Sequence, residues 1–171
     1  MSSQLLVDKI LPVDGVPAGG GGGIIQITQT TNETTTNLTD GGNTNWHATT
    51  FSHSITPKVA GSKILVRCIS SFYMDTDDNT AGVTLYRDVA GGGYTRCDPG
   101  SSCGLNPMYI FTDGGAEDFQ CPISISWLDS PSYTLGQVIT YKLYYRSDKT
   151  NNKLNGLRTG TQVFQTFEVC T

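Results

Sequence analysis

Ser54–Met74 reads "SITPKVAGSKILVRCISSFYM", and this stretch decides the fold. In its second half the apolar residues alternate. Ile64, Val66, Cys68 and Phe72 fall on one side, the period of two that a half-buried strand requires. The first half is a corner. Pro57 removes a backbone donor and ends one ladder, and Gly61 eases the turn. Lys63 then stands at the strand entrance, where a charge discourages unwanted edge pairing. A strand that stops and restarts within so few residues reads as the corner of a β-sandwich.

The same period recurs in both directions. "IIQITQT" at 24–30 puts Ile25 and Ile27 on one face. "WHATTFSHSI" ends near Ile55, and "AGVTLYRD" follows at 81–88. "MYIF" at 108–111 is short. "CPISISWL" places Ile123, Ile125 and Trp127 together, and "VITYKLYYR" and "QVFQTFEV" close the chain. Eight or nine strands and no helix are expected. Polar runs separate them. "NETTTNLTDGGNTN" at 32–45 reads as a loop, as do Gly91–Tyr94 and "CDPGSSCG". "MDTDDNTAG" at 74–82 and "SDKTNNKLNG" at 147–156 read as hairpin connections. The expected fold is all-β, an antiparallel β-sandwich or jelly roll over residues 24–171.

Residues 1–23 differ in character. "LLVDKILPVDGVPAGGGGG" carries Pro12, Pro17 and five consecutive glycines, so it suits neither a helix nor a strand interior. Leu5, Leu6, Val7, Ile10 and Leu11 are nevertheless too apolar for a free tail. The segment is expected to be a docking arm on a glycine-rich linker, seated on a partner subunit or on its own domain.

Bulk composition sets the remaining bounds. With 171 residues the chain suits one domain, which can bury roughly two-thirds of its unfolded surface. Apolar residues make up 37% and charged residues 15%, so Thr, Ser, Asn and Gly must cover the outside. The net charge of −4, with Lys and Arg scattered singly, offers no basic stripe to displace counterions from nucleic acid. No run approaches a membrane span. Asp8 and Lys9 break the first apolar run, so it does not read as a secretory signal, and synthesis inside a cell is expected.

The search for chemistry ends without a catalytic constellation. "GSSCG" at 100–104 matches G-x-S-x-G in letters only, because no helix and no later histidine follow it. His47 and His53 share a strand face but bring no third ligand. Asp75, Asp77 and Asn79 are weak calcium candidates in a segment that reads more simply as a solvated turn, since position twelve from Asp75 is Tyr86. The five cysteines are odd in number. Cys97 and Cys103 flank a Pro-Gly turn and are candidates for a disulfide, the alternative being two free thiols. No cofactor is called for.

Three segments, in order along the chain, resemble structural proteins of tailed bacteriophages, cyanophages among them. They are "SITPKVAGSKILV", "WLDSPSYTLGQVITYKLYYRSD" and the final "VFQTFEV". The lead-in "VDKILPVDG" is similar to that of phage fibre and virion proteins. The cysteines and the "RCDPGSSCG" loop depart from the pattern, and the chain is short for a fibre. The resemblance implies a non-enzymatic virion protein, made in the host cytoplasm and carried on the capsid or tail surface. It would be a capsid decoration protein or short fibre, homotrimeric, docked on a major capsid or tail protein. The alternative is a fibre tip that binds a host-surface glycan. Tyr94, Tyr109 and Tyr133 are then the candidate stacking residues, against the plainer reading of half-buried strand tyrosines.

Overall fold

The structure is a computed structural model; residues 23–39, 41–74, 79–110, 118–156 and 160–170 are described. The docking-arm residues Leu5, Leu6, Val7, Ile10 and Leu11 therefore lie outside the described residues, as do Asp75 and Asp77.

Among the described residues there are eleven strands and no helix. They are β1 (Gly23–Asn32), β2 (Thr36–Leu38), β3 (Asn43–Ile55), β4 (Lys63–Met74), β5 (Asn79–Val89), β6 (Thr95–Arg96), β7 (Asn106–Ile110), β8 (Phe119–Asp129), β9 (Ile139–Ser147), β10 (Asn152–Leu154) and β11 (Gln162–Cys170). All ladders between them are antiparallel.

With the short β2, β6 and β10 set aside, a rule emerges. The first long strand pairs with the last, β1 with β11. The second pairs with the second last, β3 with β9, and the third with the third last, β4 with β8. The middle two, β5 and β7, pair with each other. β11 also pairs with β4, and β9 with β5. The chain is thus a long hairpin rolled into two sheets, β1-β11-β4-β8 and β3-β9-β5-β7. That is the jelly roll, which buries one face of every long strand.

The corner sequence places β4 differently from one sequence expectation. β4 is a central strand, flanked by β11 and β8, so Lys63 guards no edge. The "MDTDDNTAG" segment is not a hairpin within one sheet, because β4 and β5 belong to different sheets. β2 and β10 arise inside runs that read as loops. Each has three residues and one apolar anchor, Leu38 or Leu154, too little for a period to show.

The core lies between the sheets. Ile64, Val66, Cys68, Phe72, Ile123 and Ile125 face Val83, Leu85, Ile139, Tyr141, Leu143 and Tyr145 across it. Phe51 meets Phe164 edge to face at 5.3 Å, a favoured aromatic geometry. At one end the two sheets are also tied by charge. Asp129 of β8 accepts two bonds from Arg87 Nη1 of β5, at 2.5 and 2.7 Å, and one from the Tyr141 hydroxyl of β9 at 2.7 Å. Burial, reinforced by the Asp129 carboxylate, pushes the Tyr141 hydroxyl far up.

Candidate functional site

The structure gives the Ser54–Val66 corner a cause. Glu168 of β11 is fully buried, yet among the described residues no cation meets it. Its carboxylate accepts from the Lys58 amide, the Val59 amide (2.9 Å), Ser62 Oγ (2.7 Å) and Gln26 Nε2 (2.7 Å). Two consecutive amides aimed at one anion form an anion-binding concavity, and Gly61 at φ +75° lets the chain close around it. The Tyr133 hydroxyl donates to Val59 O at 2.6 Å and lies 2.7 Å from Ser62 Oγ. So Tyr133, a sequence candidate for ligand stacking, has its polar end committed to this corner.

The polar seam continues down β1. Thr28 meets Thr166 at 2.7 Å, and His53 bonds Thr30 through Nδ1 (2.7 Å) and Thr28 through Nε2 (2.8 Å). Burial pushes the His53 imidazole below its ordinary value. Both histidines do face the same side, opposite Tyr145 and Tyr141 of β9. Among the described residues no group of three His, Cys, Asp or Glu side chains could hold a metal ion.

β1 itself overturns an expectation. Ile25 and Ile27 do not line the interior. A bulge between Ile24 and Gln26 adds a residue, and beyond it Gln26 pairs with inward Glu168. The inward residues become Gln26, Thr28 and Thr30, while Ile24 and Ile27 point out, 55% and 56% exposed.

The outward residues of the first sheet then fall into one row. Ile27 pairs with Phe167, Phe167 with Leu65, and Leu65 with Leu128. Leu128 is half exposed, at 50%. Ile24 and Val169 form a second outward pair beside the row, two positions further along β11. Two cations flank it, Lys63 opposite Val169 and Arg67 opposite Gln165.

The second sheet's outer face is built differently. Tyr86 of β5 and Tyr144 of β9 stack at 3.9 Å, and Tyr94 leans on Tyr144 at 6.0 Å. Lys142 Nζ sits 4.7 Å from the Tyr94 ring and the Arg96 guanidinium 4.5 Å from Trp46, both cation–π distances. The "RCDPGSSCG" loop closes over the neighbouring strip. Asp98 accepts from Thr84 Oγ1, from Arg96 Nε (2.7 Å) and from the Gly100 amide (2.8 Å). Arg96 and Arg146 donate to the Ser101 and Ser102 carbonyls. Bonds from Thr84, Arg96 and Gly100 hold the Asp98 carboxyl below its usual range against its burial. Gly104, at φ +75°, lies so near Trp46 and Val83 that no side chain would fit.

Sequence candidates are placed accordingly. Tyr94 belongs to the aromatic cluster. Tyr109, 60% exposed, sits on β7 opposite Thr80, six residues along β5 from Tyr86, so it is not part of that cluster. Tyr133 belongs to the corner, and the three tyrosines do not form one surface. Asn79 is fully buried and holds Asn152 Oδ1 at 3.0 Å and Ser147 Oγ at 2.8 Å. It ties β5, β9 and β10 together, which is a structural duty and not that of a solvated ligand. Cys97 and Cys103 are free thiols. Cys97 packs against the core, where burial and the nearby Asp129 carboxylate push its thiol up to about 12. That disfavours Cys97 as an attacking thiolate. Trp46, Tyr86 and Tyr144 escape sequence reasoning because their strands alternate like any others, and only the pairing of β3, β9 and β5 gathers them.

No family model matches the sequence, and no curated protein matches it. Among solved structures the chain is similar to one described as the structure of infectious bursal disease virus, Gx strain. The TM-score is 0.32 at 10% identity, over 99% of this chain and 44% of that one. The chain thus spans under half the length of that structure's chain, and a likeness of that size carries no argument about function. The fold itself is an all-β sandwich of jelly-roll order with two unlike outer faces.

Proposed function

We propose that the chain is a non-enzymatic structural protein of a tailed-phage virion, a capsid decoration protein or a short fibre. The observation that carries this reading is the jelly-roll strand order around an interior filled with side chains. Viral capsid domains, lectin domains and cupins share that order, so the warrant is an analogy of fold. The filled interior favours work done on the outside of the sandwich, by surface contact. In this reading the protein is a homo-oligomer, a trimer in the simplest case, held in the particle by a capsid or tail protein.

A second reading rests on the aromatic face. Half-buried Trp46, Tyr86, Tyr94 and Tyr144 beside Lys142 supply ring faces and a donor, as sugar recognition does, and favour a host-surface glycan as ligand. Quantitative mass spectrometry of purified particles tests the first reading, with a glycan array run beside it. Many copies per particle and a silent array are expected. Absence of the chain from purified particles overturns the structural role. A few copies per particle together with a specific glycan signal transfer the function to the aromatic face.

A further inference from the structure

The apolar row on the first sheet's outer face has no cover among the described residues, and its position points to one occupant. The row crosses four strands, from Ile27 through Phe167 and Leu65 to Leu128. With strands about 4.8 Å apart it is roughly 14 Å wide. The chain enters β1 at Gly23, beside the outward Ile24–Val169 pair and four residues before Ile27. Upstream, with twelve residues between it and Ile24, ends a second apolar unit, Leu5, Leu6, Val7, Ile10 and Leu11, with Asp8 and Lys9 in its middle. Extended, that unit is roughly 20 Å long and can span the row.

We propose that the Leu5–Leu11 segment lies across the outer face of its own sandwich, as a strap over Ile27, Phe167, Leu65 and Leu128. The linker selects this occupant over a second copy. Residues 12–23 separate the two units, and twelve residues of glycine-rich chain have a root-mean-square span of roughly 19 Å. From Gly23 to the middle of the row is about 15 Å, counting four residues along β1 and one or two strand spacings across. A tether matched to its span holds its end at an effective concentration in the millimolar range, which a separate copy in dilute solution does not reach. The inference is independent of the virion reading, since a strapped face serves any host protein of this fold.

The full chain carrying the photocrosslinker p-benzoylphenylalanine in place of Leu6 tests it. Unlabelled and ¹⁵N-labelled copies are mixed at low micromolar concentration, irradiated and mapped by mass spectrometry. The expected result is crosslinks from position 6 to the β11, β4 and β8 residues of the row, within copies of one isotope. In Leu128→Asp and Ile27→Asp those crosslinks should fall at least tenfold. Both positions are half exposed, and an unchanged far-ultraviolet circular dichroism spectrum with a single cooperative unfolding transition shows that the fold is intact. Crosslinks joining light to heavy chains overturn the proposal in favour of a second copy as occupant. Crosslinks to any other surface, or none to the row, overturn it outright.

Discussion

The two halves of the first sheet solve the same problem in opposite ways. In the β4–β8 half the side chains facing the interior are mostly apolar, with Ile64, Val66, Cys68, Phe72, Ile123 and Ile125 inward and Ser70 and the terminal Asp129 as the polar exceptions. In the β1–β11 half the inward residues include Gln26, Thr28, Thr166, Gln162 and Glu168, and apolar Ile24 and Ile27 face out. The first half is held mainly by area removed from water, with Asp129 tied to Arg87 and Tyr141 only at its end, and the other by a hydrogen-bonded seam along β1 around Glu168. The difference teaches that a strand's buried face is set by what it must meet. β1 meets the Glu168 carboxylate and His53, so donors and hydroxyls go inward and the aliphatic residues are left to the surface.

The seam is the more fragile half, and Glu168→Ala breaks it most severely. Lys58 N and Val59 N would lose their acceptor, while Ser62 Oγ and Gln26 Nε2 would keep Val59 O and Thr56 O, respectively. Each unpaired buried donor costs about 1–3 kcal/mol, partly relieved by water and relaxation, so a loss of about 4 kcal/mol is expected. Urea unfolding with an unchanged slope measures it. A loss under about 1 kcal/mol would show that the seam is ornamental.

In the apolar half, Ile125→Ala should cost about 3 kcal/mol, from lost transfer energy plus a cavity in a close-packed core. The same titration reads it. If this exceeds the Glu168→Ala loss, the ranking of the two halves is reversed.

His53 sharpens the comparison through pH. Its folded pKa is lowered by burial, so the folded state binds fewer protons than the unfolded chain near neutrality. The stability it contributes is fully present above the unfolded value of about 6.5 and is lost as pH falls through the lower folded value. Thermal midpoints should drop over that acid window in the native protein and drop less in His53→Gln. Identical pH profiles would remove His53 from the seam.

The smallest effect is expected on the outer face. Ile27→Thr keeps a β-branched residue at a position that is 56% exposed, and stability should change by no more than about 0.5 kcal/mol. A larger loss would mean that the apolar row already contributes to the fold.

The strong strands are legible from alternation alone, and the reason is visible in β4. Six alternating positions between two ladders leave one solution, and the Pro57–Gly61 corner marks where it begins. The same alternation misleads at β1, because a single bulged residue reverses every side chain after it. Asn79 reads as part of an acidic turn because its burial depends on Asn152 and Ser147, which are distant in sequence. The aromatic cluster is legible only at Tyr94, since Trp46, Tyr86 and Tyr144 come from three strands.

By itself, then, the sequence determined the all-β class, the long strands and the corner. These follow from local period and from proline and glycine chemistry, which act over a few residues. Tertiary structure alone decided the pairing of first strand with last, the inward turn of Glu168 and the placing of apolar residues on the outer face. Each of these depends on groups brought together across long stretches of chain, as Gln26 and Glu168 are, and no local pattern encodes that meeting.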